Sequence, residues 1–151
     1  MRIIDVDQHL FESRTTWSDY IDPSARDDAL RIEDDDKGWP YLVWRGHRLT
    51  NIEVPIPENS AAIGRAHVQR TTGQRAEASF EELVPTAYGD AGARLAAMDE
   101  FGIDEAVLFP NYGLLWENML AEDRAAQRAN ARAFNRFMAD TISQGPVAST
   151  A

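Results

Sequence analysis

The spacing of apolar and polar positions changes several times along the chain, and each change marks an element. The chain opens on a β-branched run, Ile3, Ile4 and Val6, that reads as a short strand. From Ser13 to Asp22, the residues Trp17, Tyr20 and Ile21 recur at three- and four-residue steps. That spacing predicts a short amphipathic helix, capped by Ser13 or Thr15 and ended by Pro23. Over residues 29–50 the period falls to two. Leu30 and Ile32 alternate with charged residues, Asp34 to Gly38 is turn chemistry, Tyr41 to Trp44 is a second run, and His47 to Leu49 follow Arg45-Gly46. This is a β-hairpin or small meander, expected outside the main sheet.

Residues 51–88 are rich in Pro, Gly, Ser and Ala, with Pro55, Pro57, Gly64, Gly73 and Pro85 interrupting any long period. They read as a long loop able to cover a site, with a short helical piece at Ser79 to Leu83. Regularity returns at Asp90. Ala91, Leu95, Met98 and Phe101 share a helix face, Asp90 is a credible N-cap, and Gly102 fits a left-handed C-terminal position. Glu105 to Phe109 then form a mostly apolar run stopped by Pro110, as expected of a strand covered on both faces. Helix, tight glycine turn and buried strand make the second half of a βαβ unit. A short helix is predicted at Leu114 to Leu120, and the longest one at Glu122 to Ile142. There Ala126, Ala129, Ala133 and Phe137 lie on one stripe, and arginines 124, 128, 132 and 136 make a solvated face. Gly145-Pro146 ends that helix, and a small, polar tail follows. The fold class is α/β in a single domain, 1–151, within the usual range of about 100 to 200 residues.

Composition narrows the functional classes. The net charge of −10, from 25 acidic and 15 basic residues, argues against phosphate backbones and anionic lipid as partners, so neither nucleic acid nor membrane is expected. No window approaches the roughly 20 apolar residues of a membrane span, and the N-terminus lacks the apolar core of a signal peptide, so a cytoplasmic location is the expectation. There are no cysteines, and any metal must be held by His, Asp and Glu.

The sharpest candidate for chemistry is Asp7-Gln8-His9 at the end of the first run. Residues spaced i, i+2 on a strand face the same way, so a carboxylate and an imidazole converge, as in half of a metal site. The simpler alternative is a hydrogen-bonded pair at a strand end. His47 and His67 are the other histidines and read as exposed or loop residues. Glu12 has two readings: an acceptor for His9 that fixes its tautomer, or a charge favouring the helix that follows. Asp5 reads as structural, with support of the neighbouring ligand pair as the alternative. Phe109 and Asn111, after the second strand of the βαβ unit, stand where substrate contacts belong, although Asn111 also suits a simple turn. The four tryptophans read as packing residues, with those of the hairpin also suited to a subunit interface.

Three stretches carry a family resemblance: Asp5 to Glu12 with the helix and hairpin that follow, Arg94 to Pro110, and Ala131 to Phe137. Together they resemble the N-terminal portion of the amidohydrolase-related (amidohydrolase 2) family of metal-dependent hydrolases and decarboxylases. The resemblance implies the N-terminal part of a TIM-type (β/α)₈ barrel with a β-hairpin insertion. It also implies a divalent ion, zinc or manganese, with Asp7 and His9 as the ligands from the first strand. Hydrolysis of a small carboxylate-bearing or cyclic substrate is the implied activity, with nonoxidative decarboxylation as the alternative. Later strands of the family supply another histidine and a final aspartate, and no position here matches them. The barrel is therefore expected to be incomplete in this chain, which normally takes about 250 residues. A homo-oligomer or partner chain is the further expectation, since a non-catalytic paralogue with an open sheet edge would seek pairing.

Overall fold

The computed structural model describes residues 1–49, 69–77, 79–112 and 116–144. Half of the predicted loop, including His67, the turn and helix start at 113–115, and the tail lie outside the described residues. The architecture is mixed α/β with two separate sheets. Strand β1 (Ile4–Leu10) leads to helix α1 (Thr16–Tyr20) and a 3₁₀ segment at Pro23–Asp28. Strands β2 (Arg31–Asp34), β3 (Pro40–Trp44) and β4 (His47–Arg48) follow. After them come α2 (Phe80–Leu83), α3 (Ala91–Phe101), β5 (Glu105–Pro110) and α4 (Arg124–Ser143).

The βαβ expectation holds, because β1 and β5 pair in parallel with α3 in the connection between them. The meander also stands apart as predicted, in a three-stranded antiparallel sheet ordered β2-β3-β4. Its tight turn places Arg45 at φ 48° and Gly46 at φ 75°. A two-residue hairpin loop needs that left-handed pair to match the strand twist.

Helix ends follow the sequence in most places. Asp90 Oδ1 accepts from the Ala93 amide at 2.7 Å, and Gly102 sits at φ 68° with the Ile103 amide donating back to the Met98 carbonyl at 2.8 Å. Ser79 and Glu82 form a reciprocal capping box on α2. At α1 the expected cap is not made. Thr15 occupies the position, but its hydroxyl donates to Asp19 Oδ2 at 2.7 Å instead of accepting a helix amide. The predicted helix before α4 is a 3₁₀ turn, Glu117–Leu120, in its described part.

The main core lies between α1, the meander and α4. Trp17, Leu30, Ile32, Leu42, Trp116, Leu120, Ala129 and Ala133 are buried together, with Phe134 against Trp17 at 6.3 Å between ring centroids. Burying such side chains is the main favourable term in folding. Asn130, in the middle of the α4 stripe, is fully buried. Its Oδ1 accepts from the Leu30 amide at 2.9 Å, and its Nδ2 donates to the Asp28 carbonyl at 2.7 Å. It completes the backbone hydrogen bonds where the chain enters β2, so a polar residue is tolerated at the centre of the core.

Two expectations fail on the other side of the molecule. β5 is not covered on both faces, since Val107 and Phe109 remain exposed. Phe101, expected on the packed face of α3, is 74% exposed. Both have one cause. A two-stranded sheet offers little surface to pack against, and among the described residues β1 and β5 pair only with each other.

Candidate active site

The register of β1 against β5 explains how the site is aimed. Asp5 pairs with Ala106, but Gln8 pairs with Leu108, so β1 carries one extra residue over that interval. Such a bulge releases one stretch of the ladder and redirects its side chains. The Asp7 amide is taken up by Asp5 Oδ1 at 3.1 Å, which gives Asp5 the structural role expected of it. Asp7 itself projects outward, its side chain 84% exposed.

His9 pairs with Phe109 just after the ladder resumes at Gln8, two residues beyond Asp7. Its Nε2 lies 3.9 Å from Asp7 Oδ1, the convergence that the spacing predicts. The other ring nitrogen, Nδ1, is 3.1 Å from the carbonyl oxygen of Pro110. A carbonyl can only accept, so this contact requires a proton on Nδ1; in the neutral ring the Nε2 lone pair then faces the Asp7 side. Metal-binding histidines are commonly held this way, with the non-ligating N–H given to a fixed acceptor.

Glu12 does not supply that acceptor. It is buried below the strand end, where its Oε2 accepts from the Tyr112 amide at 3.1 Å, joining the segments that leave β1 and β5. It also precedes α1 by four residues, which places it outside the first turn. Burial first, and then the Glu12 carboxylate, pushes the Tyr112 phenol well above its usual pKa. The pair therefore belongs to the foundation of the site. Phe109 stands beside His9 with its ring centroid 6.3 Å away, and Asn111 lines the cavity next to the pair.

That cavity has a volume of about 520 Å³, and Asp7, His9, Tyr88, Arg94, Met98 and Asn111 are among its walls. The size suits a small organic molecule. Arg94 was not singled out by sequence reasoning, although one signal was there: it precedes Met98 by four residues, which puts a charge on the inward stripe of α3. Burial draws its pKa below the ordinary guanidinium value. His47 is exposed on β4 in the other sheet, and no group of three or more metal-ligating side chains forms among the described residues.

Two donors, one carboxylate and one imidazole with its lone pair free, are the right chemistry for half of a divalent-ion shell. The pair fits an ion as two ligands, and a catalytic site normally uses three with an open position. Further ligands would have to come from outside the described residues.

The fold is similar to that of an amidohydrolase from Mycobacterium avium subsp. paratuberculosis K-10, with a TM-score of 0.65 and 22% identity, over 93% of this chain. The chain spans 38% of the length of that protein. No family model matches the sequence, and no curated protein matches it. Among the described residues no helix is long and apolar enough to cross a membrane.

Proposed function

We propose that the chain carries the first-strand ligands of a metal-dependent hydrolase of the amidohydrolase type, within the N-terminal part of a (β/α)₈ barrel. The observation that carries this reading is the convergence of Asp7 and His9 with the ring held through Nδ1 by the Pro110 carbonyl. In it Asp7 and His9 hold zinc or manganese, which when bound supplies Lewis acidity toward a substrate oxygen or an activated water. The chain's own residues do the rest. Pro110 fixes the His9 ring, Asp5 holds the Asp7 amide, and the cavity lined by Asn111, with Phe109 beside His9 but outside that lining, admits a small carboxylate-bearing or cyclic substrate and limits its size. Hydrolysis is the proposed reaction; loss of carbon dioxide with proton uptake at the same carbon is the alternative, and product analysis separates the two.

Calorimetric titration with Zn²⁺ and Mn²⁺ tests the site. Binding in the wild type that His9→Ala abolishes is the expected result. Equal binding in both proteins, or none in either, removes the reading.

A second reading rests on a different observation. Val6, Val107 and Phe101 are exposed beside a strand pair with no third strand among the described residues. In this reading the chain is a non-catalytic paralogue whose open sheet is covered by a second copy or a partner chain. A stoichiometric, metal-free assembly by size-exclusion mass measurement, with no turnover, would favour it over the first.

A further inference from the structure

Arg94 reaches from the first turn of α3 to the end of β1 where the ligand pair stands. Its Nη1 donates to Gln8 Oε1 at 2.8 Å, and its Nη2 donates to the His9 carbonyl at 2.8 Å and the Tyr88 carbonyl at 3.3 Å. The guanidinium also lies 5.7 Å from the centroid of the Tyr88 ring. None of these partners is a carboxylate, and among the described residues Arg94 forms no ion pair. A half-buried cation without a counter-ion is costly unless its N–H groups are well used. Here they are used on the His9 carbonyl, the side chain of its neighbour Gln8 and the Tyr88 carbonyl.

The Tyr88 carbonyl also accepts from the Phe11 amide at 3.0 Å, so the same segment grips β1 on both sides of Leu10. The imidazole of His9 is thus held from two directions. Pro110 on β5 takes the ring N–H, and Arg94 on α3 fixes the main chain that carries the ring. The fork geometry of a guanidinium suits three acceptors in different directions, which a lysine ammonium on a shorter reach does not satisfy.

We propose that Arg94 is a positioning residue for the Asp7–His9 pair, fixing the end of β1 so that His9 keeps its proton on Nδ1 and presents Nε2 to the cavity. The proposal deepens the metal reading and rests on it for its consequence, but its primary test needs no metal. Long-range proton–nitrogen NMR of the metal-free protein, at about pH 8 where imidazole is neutral, reports which ring nitrogen carries the proton. The wild type is expected to show the Nδ1–H tautomer. Folded Arg94→Met is expected to revert toward the Nε2–H form that free imidazole prefers, and to bind Co²⁺ about tenfold or more weakly, the usual effect of losing such a support. Arg94→Lys is expected to shift both readouts in the same direction by less.

A folded Arg94→Met with the wild-type tautomer and wild-type Co²⁺ affinity would overturn the proposal. If Arg94→Met does not fold, an Arg94→Lys protein indistinguishable from wild type in both readouts overturns it equally. Failure of the wild type to bind Co²⁺ at all would remove the metal reading, and the tautomer measurement would still decide the role of Arg94.

Discussion

Two regions of this molecule are built to different standards. Around Trp17 and Trp116, the meander, α1 and α4 enclose a continuous apolar core in which even the polar Asn130 has its hydrogen bonds satisfied. Around β1 and β5, the apolar residues Ile4, Val6, Val107 and Phe109 face outward, and order comes from a bulge, a histidine on a carbonyl and an arginine across three acceptors. The contrast teaches that the packed core and the candidate site are supplied by different parts of the chain. The first region holds the fold by burial, and the second holds the candidate ligands by directed polar contacts.

If that division is correct, mutations in the two regions should separate. The largest effect is expected at Trp17, which is fully buried. Trp17→Ala should cost about 3 to 5 kcal/mol in denaturant unfolding, a typical penalty for emptying such a volume. Any metal affinity of the folded fraction should stay unchanged. Asn130→Ala comes next. It leaves the buried Leu30 amide without its acceptor, at about 1 to 3 kcal/mol by the same measurement.

A smaller effect is expected where Arg14 joins the regions, bonding both carboxylate oxygens of Asp34, at 3.0 and 2.9 Å, and also pairing with Glu81. Hydrogen bonding from Arg14 holds the Glu81 carboxyl below its usual pKa. A depressed folded-state pKa means that the stabilisation is present above the unfolded value, about 4.3, and is lost as pH falls through the folded one. Glu81 is more than half exposed, so Glu81→Gln should lower stability at pH 7 by no more than about 1 kcal/mol. The difference from wild type should vanish in unfolding curves taken well below that window.

The smallest effect is expected at Val6, which is 65% exposed. Val6→Thr should change stability by less than about 0.5 kcal/mol. A large loss there would break the comparison, because it would mean that this face is buried in an assembly. Mass measurement of the same variant would then show the assembly weakened.

The sequence made the helices and their ends legible wherever local chemistry decides them. Asp90 and Gly102 act through atoms only a few residues away, so their patterns read directly as structure, whereas the cap expected of Ser13 or Thr15 is lost to a side-chain contact of Thr15 with Asp19. The Asp7 and His9 convergence was legible for the same reason, since i, i+2 spacing is a property of one strand. The burial of β5 was misread because an apolar run states what a strand would bury and not whether a neighbour exists to bury it. The roles of Pro110, Arg94 and Asn130 depend on partners between 85 and 102 positions away, or on a carbonyl that every residue carries alike. No spacing rule reaches such contacts. Glu12 shows the same limit, because both local readings of it gave way to an amide two residues beyond the far strand.

The acceptor for His9 is a main-chain oxygen, and that has a consequence for how this corner can change over generations. Every amino acid presents the same carbonyl, so no single codon change at 110 deletes it. The ring's orientation is inherited with the path of the strand. Drift can erase Asp7, or exchange the neighbours that shape the cavity, while the imidazole keeps its bearing.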